Sequence, residues 1–212
     1  MRTASTPTPS PRSSAKRTAV LDAAQHCFLE HGYAGTSMDM VAHMAGVSKA
    51  TIYAHFKSKD ELFGAIIRRR CERQLSFESF QGLGESDART ALTAMARHLL
   101  DLLLSPEALG IYRVVVAESL RQPELAQAYF EAGPVRGKAA MVAVVEALIA
   151  RGEIAAADPA RAVDQFVGML RGEHYNRALI GLPIPDGLTV EATIAATVDT
   201  FLKAFTPPHS AV

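Results

Sequence analysis

Apolar residues recur every three to four positions along most of this chain, and glycine, proline or a small hydroxyl residue stands where the rhythm lapses. That is the helical period. A first helix is predicted from near Ala15, with Val20, Leu21, Ala24, Cys27 and Phe28 on one face, to Gly32, a residue suited to follow a helix end. A second, short helix opens at Thr36-Ser37-Met38-Asp39, where a hydroxyl followed three residues on by an acid resembles a capping box, and it should turn Met40, Val41 and Met44 inward. Ala45-Gly46-Val47 reads as a tight turn, a small residue followed by an apolar plug. Ser48 is placed to cap a third helix over 49–56, in which Ile52 and Phe56 share the buried side while Lys49, Ala50, Thr51, Tyr53 and His55 face out.

Residues 57–61 begin a fourth helix that points Leu62, Phe63, Ile66 and Ile67 inward and runs through Arg68-Arg69-Arg70 toward Leu75. After a glycine-containing break at 82–84, further helices are predicted at about 87–104, 107–120, 123–151, 159–180 and 189–205, the last stopped by Pro207-Pro208. Gly133-Pro134 should kink or split the third of these, because proline cannot donate the helical hydrogen bond. Residues 1–14 are Ser, Thr and Pro with two arginines and almost nothing to bury, so an unstructured arm is expected there.

Composition sharpens the fold class. With 212 residues, 49% hydrophobic, the chain can bury a sizeable core, and the scarcity of aromatics at 7% alongside abundant Ala, Leu, Arg and Glu favours an all-α fold. The formal net charge of zero argues against a nucleic-acid partner only until the chain is divided. Residues 1–60 hold seven lysines and arginines against four acids, a net of +3, whereas the remainder holds 15 against 18, a net of −3. A basic N-terminal unit on an acidic body fits phosphate binding at one end. Cys27 and Cys71 lie apart in helical patterns, so neither a disulfide scaffold nor a CxxC metal knot is present. The lack of a membrane-length apolar run or a secretory signal points to the cytoplasm.

The second and third helices have the spacing of a helix-turn-helix, in which one short helix braces another across a small-residue turn so that the second lies in the major groove. Lys49 can reach a phosphate or a guanine edge, Thr51 a thymine methyl or base edge, Tyr53 and His55 can bond phosphate, and Ala50 leaves room for close approach. Thr36, Ser37 and Ser48 stand at helix starts, where hydroxyls, free amides and the helix dipole favour a phosphate, and Lys59 stands similarly at the fourth helix.

The run from Gly32 to Phe63, above all Val47-Ser48-Lys49-Ala50-Thr51-Ile52-Tyr53-Ala54-His55-Phe56-Lys57-Ser58-Lys59-Asp60-Glu61-Leu62, resembles the N-terminal signature of the TetR family of transcriptional regulators. Later, Tyr112-Arg113-Val114-Val115-Val116-Ala117-Glu118-Ser119 and Tyr129-Phe130-Glu131-Ala132-Gly133-Pro134 look like the AefR-like and AcrR-like branch. The resemblance implies a three-helix DNA-binding head at 15–60, a linking fourth helix, and a helical ligand-binding and dimerisation body at 61–206, with an arm at 1–14 and a tail at 207–212. It carries the family's DNA contacts onto Ser37, Lys49, Ala50, Thr51, Tyr53, His55 and Lys59, and leaves Met38 where a polar residue is usual.

Helical bodies hold ligands between helices, among apolar side chains with a few polar anchors. Met95, Leu99, Leu102, Tyr112 and Val116 are candidates to line such a site, as are Phe130, Met141, Val145 and Met169. His98, Arg113, Glu118 and Gln165 are the candidate anchors. The methionines suit an adaptable site for a small lipophilic organic effector. The last two helices offer Ala192, Thr193, Ala195 and Ala196 for close packing, with Phe166 and Leu202 as larger contacts, and the expected partner there is a second copy.

A dimer reading a palindromic double-stranded DNA operator, usually a repressor released by its effector, follows from this reading. The alternative is a helical small-molecule sensor or carrier acting through a protein partner without binding DNA. No GxSxG, P-loop, HExxH or GxGxxG signature is present, and no histidine pair has metal-site spacing, so neither an enzyme, a cofactor nor a metal is expected.

Overall fold

The computed structural model describes residues 11–74 and 83–207, without the side chains of 11–14, 71–74 and 84. Among the described residues every regular element is helical. In chain order these are α1 (Pro11–Gly35), α2 (Met38–Met44), α3 (Lys49–His55), α4 (Lys59–Gln74), α5 (Ala88–Leu103), α6 (Pro106–Glu118), α7 (Pro123–Phe130), α8 (Arg136–Ala150), α9 (Pro159–Leu170), α10 (Glu173–Ile180) and α11 (Val190–Ala204). The arm up to residue 10, the junction at 75–82 with Leu75, the Cys71 side chain and the tail from 208 lie outside the described residues.

Several boundaries differ from expectation for local reasons. α1 opens at Pro11 rather than near Ala15, because a proline's fixed φ and missing N–H are suited to a helix start. Its break does fall at Gly32, where φ is 69°, and one last turn then runs to Gly35. The predicted helix at 123–151 is α7 and α8 joined by a π turn over Glu131–Val135 that contains Pro134, so the chain widens around the proline instead of separating. The single helix expected at 159–180 is two: Arg171 ends α9, and Gly172 takes an extended conformation before α10.

The chain divides into two units. One contains the described residues up to Ile66 together with Val114–Tyr129; the other contains Ile67–Arg113 and Phe130 onward. The end of α6 and nearly all of α7, distant in sequence, thus belong to the same unit as the N-terminal helices.

In the first unit α1 buries Val20, Leu21, Ala24, Cys27 and Phe28. The Phe28 ring stacks on Tyr33 at 5.5 Å and meets Phe63 of α4 edge-on at 5.2 Å, which anchors the start of α4 to the end of α1. In the second unit Leu92, Met95 and Leu99 of α5, Val145 and Leu148 of α8, Val163 and Phe166 of α9, and Val198 and Phe201 of α11 form one core. Burial of each large side chain contributes about 1.5–3 kcal/mol. Phe166 packs edge-on against Phe201 at 5.1 Å, so the expectation that Phe166 faces a partner is corrected: its helix turns it into the core.

Arg70, the last of the three arginines of α4, is half-buried. Its guanidinium donates to Ser105 Oγ at 2.5 Å and pairs with Glu107 at 3.1 Å, tying α4 to the start of α6 within the second unit.

Candidate nucleic-acid interface

Ser37, not Thr36, caps α2: its Oγ accepts from the Met40 amide at 3.1 Å. Thr36 is 2% exposed, and its hydroxyl donates to the Gly32 carbonyl at 2.7 Å, closing the α1 end. The expectation of a phosphate contact from the Thr36 side chain is thereby corrected. With the cap at Ser37, the inward stripe of α2 is Met38, Val41 and Ala42, spaced i, i+3, i+4. Met40 and Met44 face out instead, Met44 being 44% exposed, which also explains the apolar residue at position 38: its side chain belongs to the core.

The turn that follows needs Gly46. Its φ is 64°, a left-handed conformation that Cβ-bearing residues resist, and Val47 N–H then donates back to the Ala42 carbonyl at 3.0 Å. This places Ser48 to cap α3, its Oγ accepting from the Thr51 amide at 3.2 Å and sharing a 2.8 Å hydrogen bond with the Thr51 hydroxyl. Ile52 and Phe56 plug into the unit's core, and Arg17 of α1 lies over the Phe56 ring at 5.4 Å. α3 is thus held from behind by packing and in front by a side-chain cap.

Its outer face carries Lys49, Ala50 and Tyr53 exposed, with Thr51 and His55 half-buried. Tyr53 is 45% exposed, so its ring and hydroxyl are open to a partner surface. Lys49 is exposed, but its Nζ pairs with Asp39 of α2 at 2.8 Å. The hydrogen bond to Asp39 raises the Lys49 pKa, so the ammonium stays charged across physiological pH.

Lys59 occupies a different position from the one expected. Its Nζ donates to the carbonyls of Tyr33 at 2.8 Å and Thr36 at 3.0 Å and lies 4.2 Å from the centre of the Tyr33 ring. Burial lowers its pKa, while Asp60 and Glu118 oppose that shift. Lys59, expected at a phosphate, here braces the α1–α2 corner through these two carbonyls. Beside it the Tyr33 hydroxyl donates to Asp60, and burial first, then that bond, pushes the Tyr33 phenol far above its ordinary value.

The side chains expected to line an effector site do not converge as a set. Met95, Leu99, Leu102, Met141 and Val145 are core residues of the second unit, and Tyr112, His98 and Met169 are half-buried there. Gln165 and Phe130 are exposed, Phe130 by 60%, whereas Val116 and Glu118 belong to the first unit. Arg113 is exposed and donates to the carbonyls of Leu179 at 2.6 Å and Ala178 at 2.8 Å, so it satisfies the C-terminus of α10. Sequence reasoning overlooked Arg171 and Tyr175, which the break at Gly172 brings together.

Two domain families match. The pattern of bacterial regulatory proteins of the tetR family covers residues 20–66, and that of the AefR-like transcriptional repressor C-terminal domain covers residues 90–207. The chain belongs to the TetR family. Among TetR-family structures it is similar to a transcriptional regulator from Mesorhizobium loti, with a TM-score of 0.80 and 30% identity over 93% of this chain and 100% of that one. It is also similar to the flavonoid-responsive regulator FrrA, with a TM-score of 0.73 and 35% identity over 92% of this chain and 98% of that one. The HTH-type transcriptional repressor Rv1474c of Mycobacterium tuberculosis is 38% identical over 69 residues, which span 32% of this chain and 37% of the repressor. The chain therefore matches well under two thirds of the length of that relative. Within the TetR frame, residues 20–66 hold the helix-turn-helix just described.

Proposed function

We propose that the protein is a cytoplasmic, homodimeric TetR-family repressor that binds a palindromic operator through α3 and is released by a small organic effector. One observation carries the DNA reading: a short helix, capped by Ser48 and plugged by Ile52, presents Lys49, Ala50, Thr51 and Tyr53 on an open face. In this reading Lys49, Ala50 and Thr51 meet base edges, while Ser37, Ser48, Tyr53 and His55 hold phosphates. Two heads on a two-fold axis read two half-sites about one helical turn apart. The exposed Ala192, Ala195 and Ala196 of α11 support self-association through the last two helices, as small side chains allow close approach.

The flavonoid response named for FrrA, at 35% identity, supports an aromatic effector here. Such a ligand releases DNA only by binding one arrangement of the dimer better than the other.

Purified protein is titrated with duplexes from the flanks of its own gene at several salt concentrations. Binding to one duplex with a steep inverse salt dependence is expected. Absence of salt-dependent binding to every duplex overturns the proposal.

A further inference from the structure

Arg171 ends α9 where Gly172 breaks the helix, and a Cβ at Gly172 would come within 3.3 Å of the Met169 carbonyl oxygen. The break turns the Arg171 guanidinium over the ring of Tyr175, 5.6 Å from its centre. Arg171 Nε is closed off from solvent and meets no hydrogen-bond acceptor, and no carboxylate pairs with Arg171 among the described residues. The acids nearby are engaged elsewhere: Glu173 holds Arg177 at 2.7 Å and Glu191 holds Arg97 at 3.2 Å. Nδ1 of His174, the next side chain but one along from Gly172, is likewise buried without a partner.

A guanidinium N–H withdrawn from water without an acceptor is costly, because its lost hydration is not replaced. Such groups are uncommon in folded proteins, and a water, an ion or a bound molecule is what supplies the acceptor. The surroundings narrow what that molecule is. Tyr175 is buried, and the Tyr112 ring stands 6.5 Å from it at an angle of 50°, so the ring beneath the cation has a second aromatic ring beside it. Rings offer face and edge contacts to another flat ring, and on such a ring a guanidinium pairs best with a carboxylate and, through one oxygen, with an acidic hydroxyl. Burial raises the Tyr175 phenol, which keeps its hydroxyl protonated and able to donate.

We propose that Arg171, Tyr175 and Tyr112 form the recognition end of the effector site, selecting an aromatic ligand that carries an acidic hydroxyl or carboxylate. Its regulatory meaning rests on the repressor reading; the binding itself does not. The π turn at Glu131–Val135 lies in the same unit, and such turns recur at functional sites.

The full-length protein is titrated calorimetrically with two probes, the trihydroxyflavone apigenin and its trimethyl ether. Wild type binds apigenin at least roughly tenfold more tightly than the ether, as expected for a charge-assisted contact to an acidic hydroxyl. Arg171→Met binds the two about equally, while Arg161→Met, on an exposed part of α9, keeps the wild-type preference. The probe comparison on wild type needs no variant, so a poorly folded Arg171→Met leaves the test intact. No binding of apigenin by wild type, equal affinity for the two probes, or a preference that survives in folded Arg171→Met overturns the assignment. Operator binding without ligand is measured separately: its absence removes the repressor reading and leaves the calorimetric result standing.

Discussion

The ammonium of Lys59 sits 4.2 Å from the centre of the Tyr33 ring and donates to the carbonyl of that same residue. One cation at the start of α4 thus closes the end of α1, and through the Thr36 carbonyl it reaches the approach to α2. A helix C-terminus leaves carbonyls unpaired, and a lysine satisfies them while complementing the helix dipole. Under the proposed function, a change at Lys59 is therefore expected to reach DNA binding through the geometry of the helices rather than through a phosphate contact.

Salt dependence separates bracing from contact. Lys59→Met is expected to lower the melting temperature and weaken operator binding while leaving the slope of log affinity against log salt unchanged. Lys49→Met, which removes a cation from the DNA face, is expected to reduce that slope by about 1. A reduced slope for Lys59→Met would return Lys59 to the list of phosphate contacts.

Under the proposed function, Asp39 and DNA compete for Lys49. The pair is exposed on both sides, so it is weak, but DNA binding must exchange it. Asp39→Asn is expected to tighten binding to non-specific duplex roughly two- to fivefold, measured by fluorescence anisotropy at low salt. Unchanged or weaker binding would show that the pair does not restrain Lys49.

The register of α2 has its own signature. Met38 is 8% exposed and packed inward, so Met38→Ala is expected to destabilise the fold by about 2 kcal/mol or more in denaturant unfolding. Met40→Ala, on the outer side of the same helix, should change stability by about 0.5 kcal/mol or less. The reverse order would restore the capping frame at Thr36.

Acid should loosen the tie between α4 and α6. The Glu107 carboxyl titrates below its ordinary value of 4.5, first because its own backbone amide bonds it and then because of Arg70. A carboxyl with a depressed folded value contributes stability that is present above the unfolded value and lost as pH falls through the folded one. Glu107→Gln should therefore melt below wild type at pH 7, and the two melting curves should draw together as the pH drops below about 4. A gap independent of pH would assign the effect to packing.

Local pattern was enough for the all-helical class, for the turn at Ala45-Gly46-Val47 and for the outer face of α3, because each depends on spacing within a few residues. The cap at Ser48 was legible for the same reason. Thr36 and Ser37 are both acceptable caps by residue type, and only the Gly32 carbonyl, which engages the Thr36 hydroxyl, decides between them and so sets which methionines of α2 are buried. The sequence by itself determined a helix-turn-helix head and a helical body, since hydrophobic period and turn residues act locally. The tertiary structure alone decided that Lys59 braces, that Phe166 is core, that 114–129 belongs with the head, and that Arg171 lies over Tyr175. Each of those depends on which distant surfaces meet, and side-chain spacing within one helix carries no record of that.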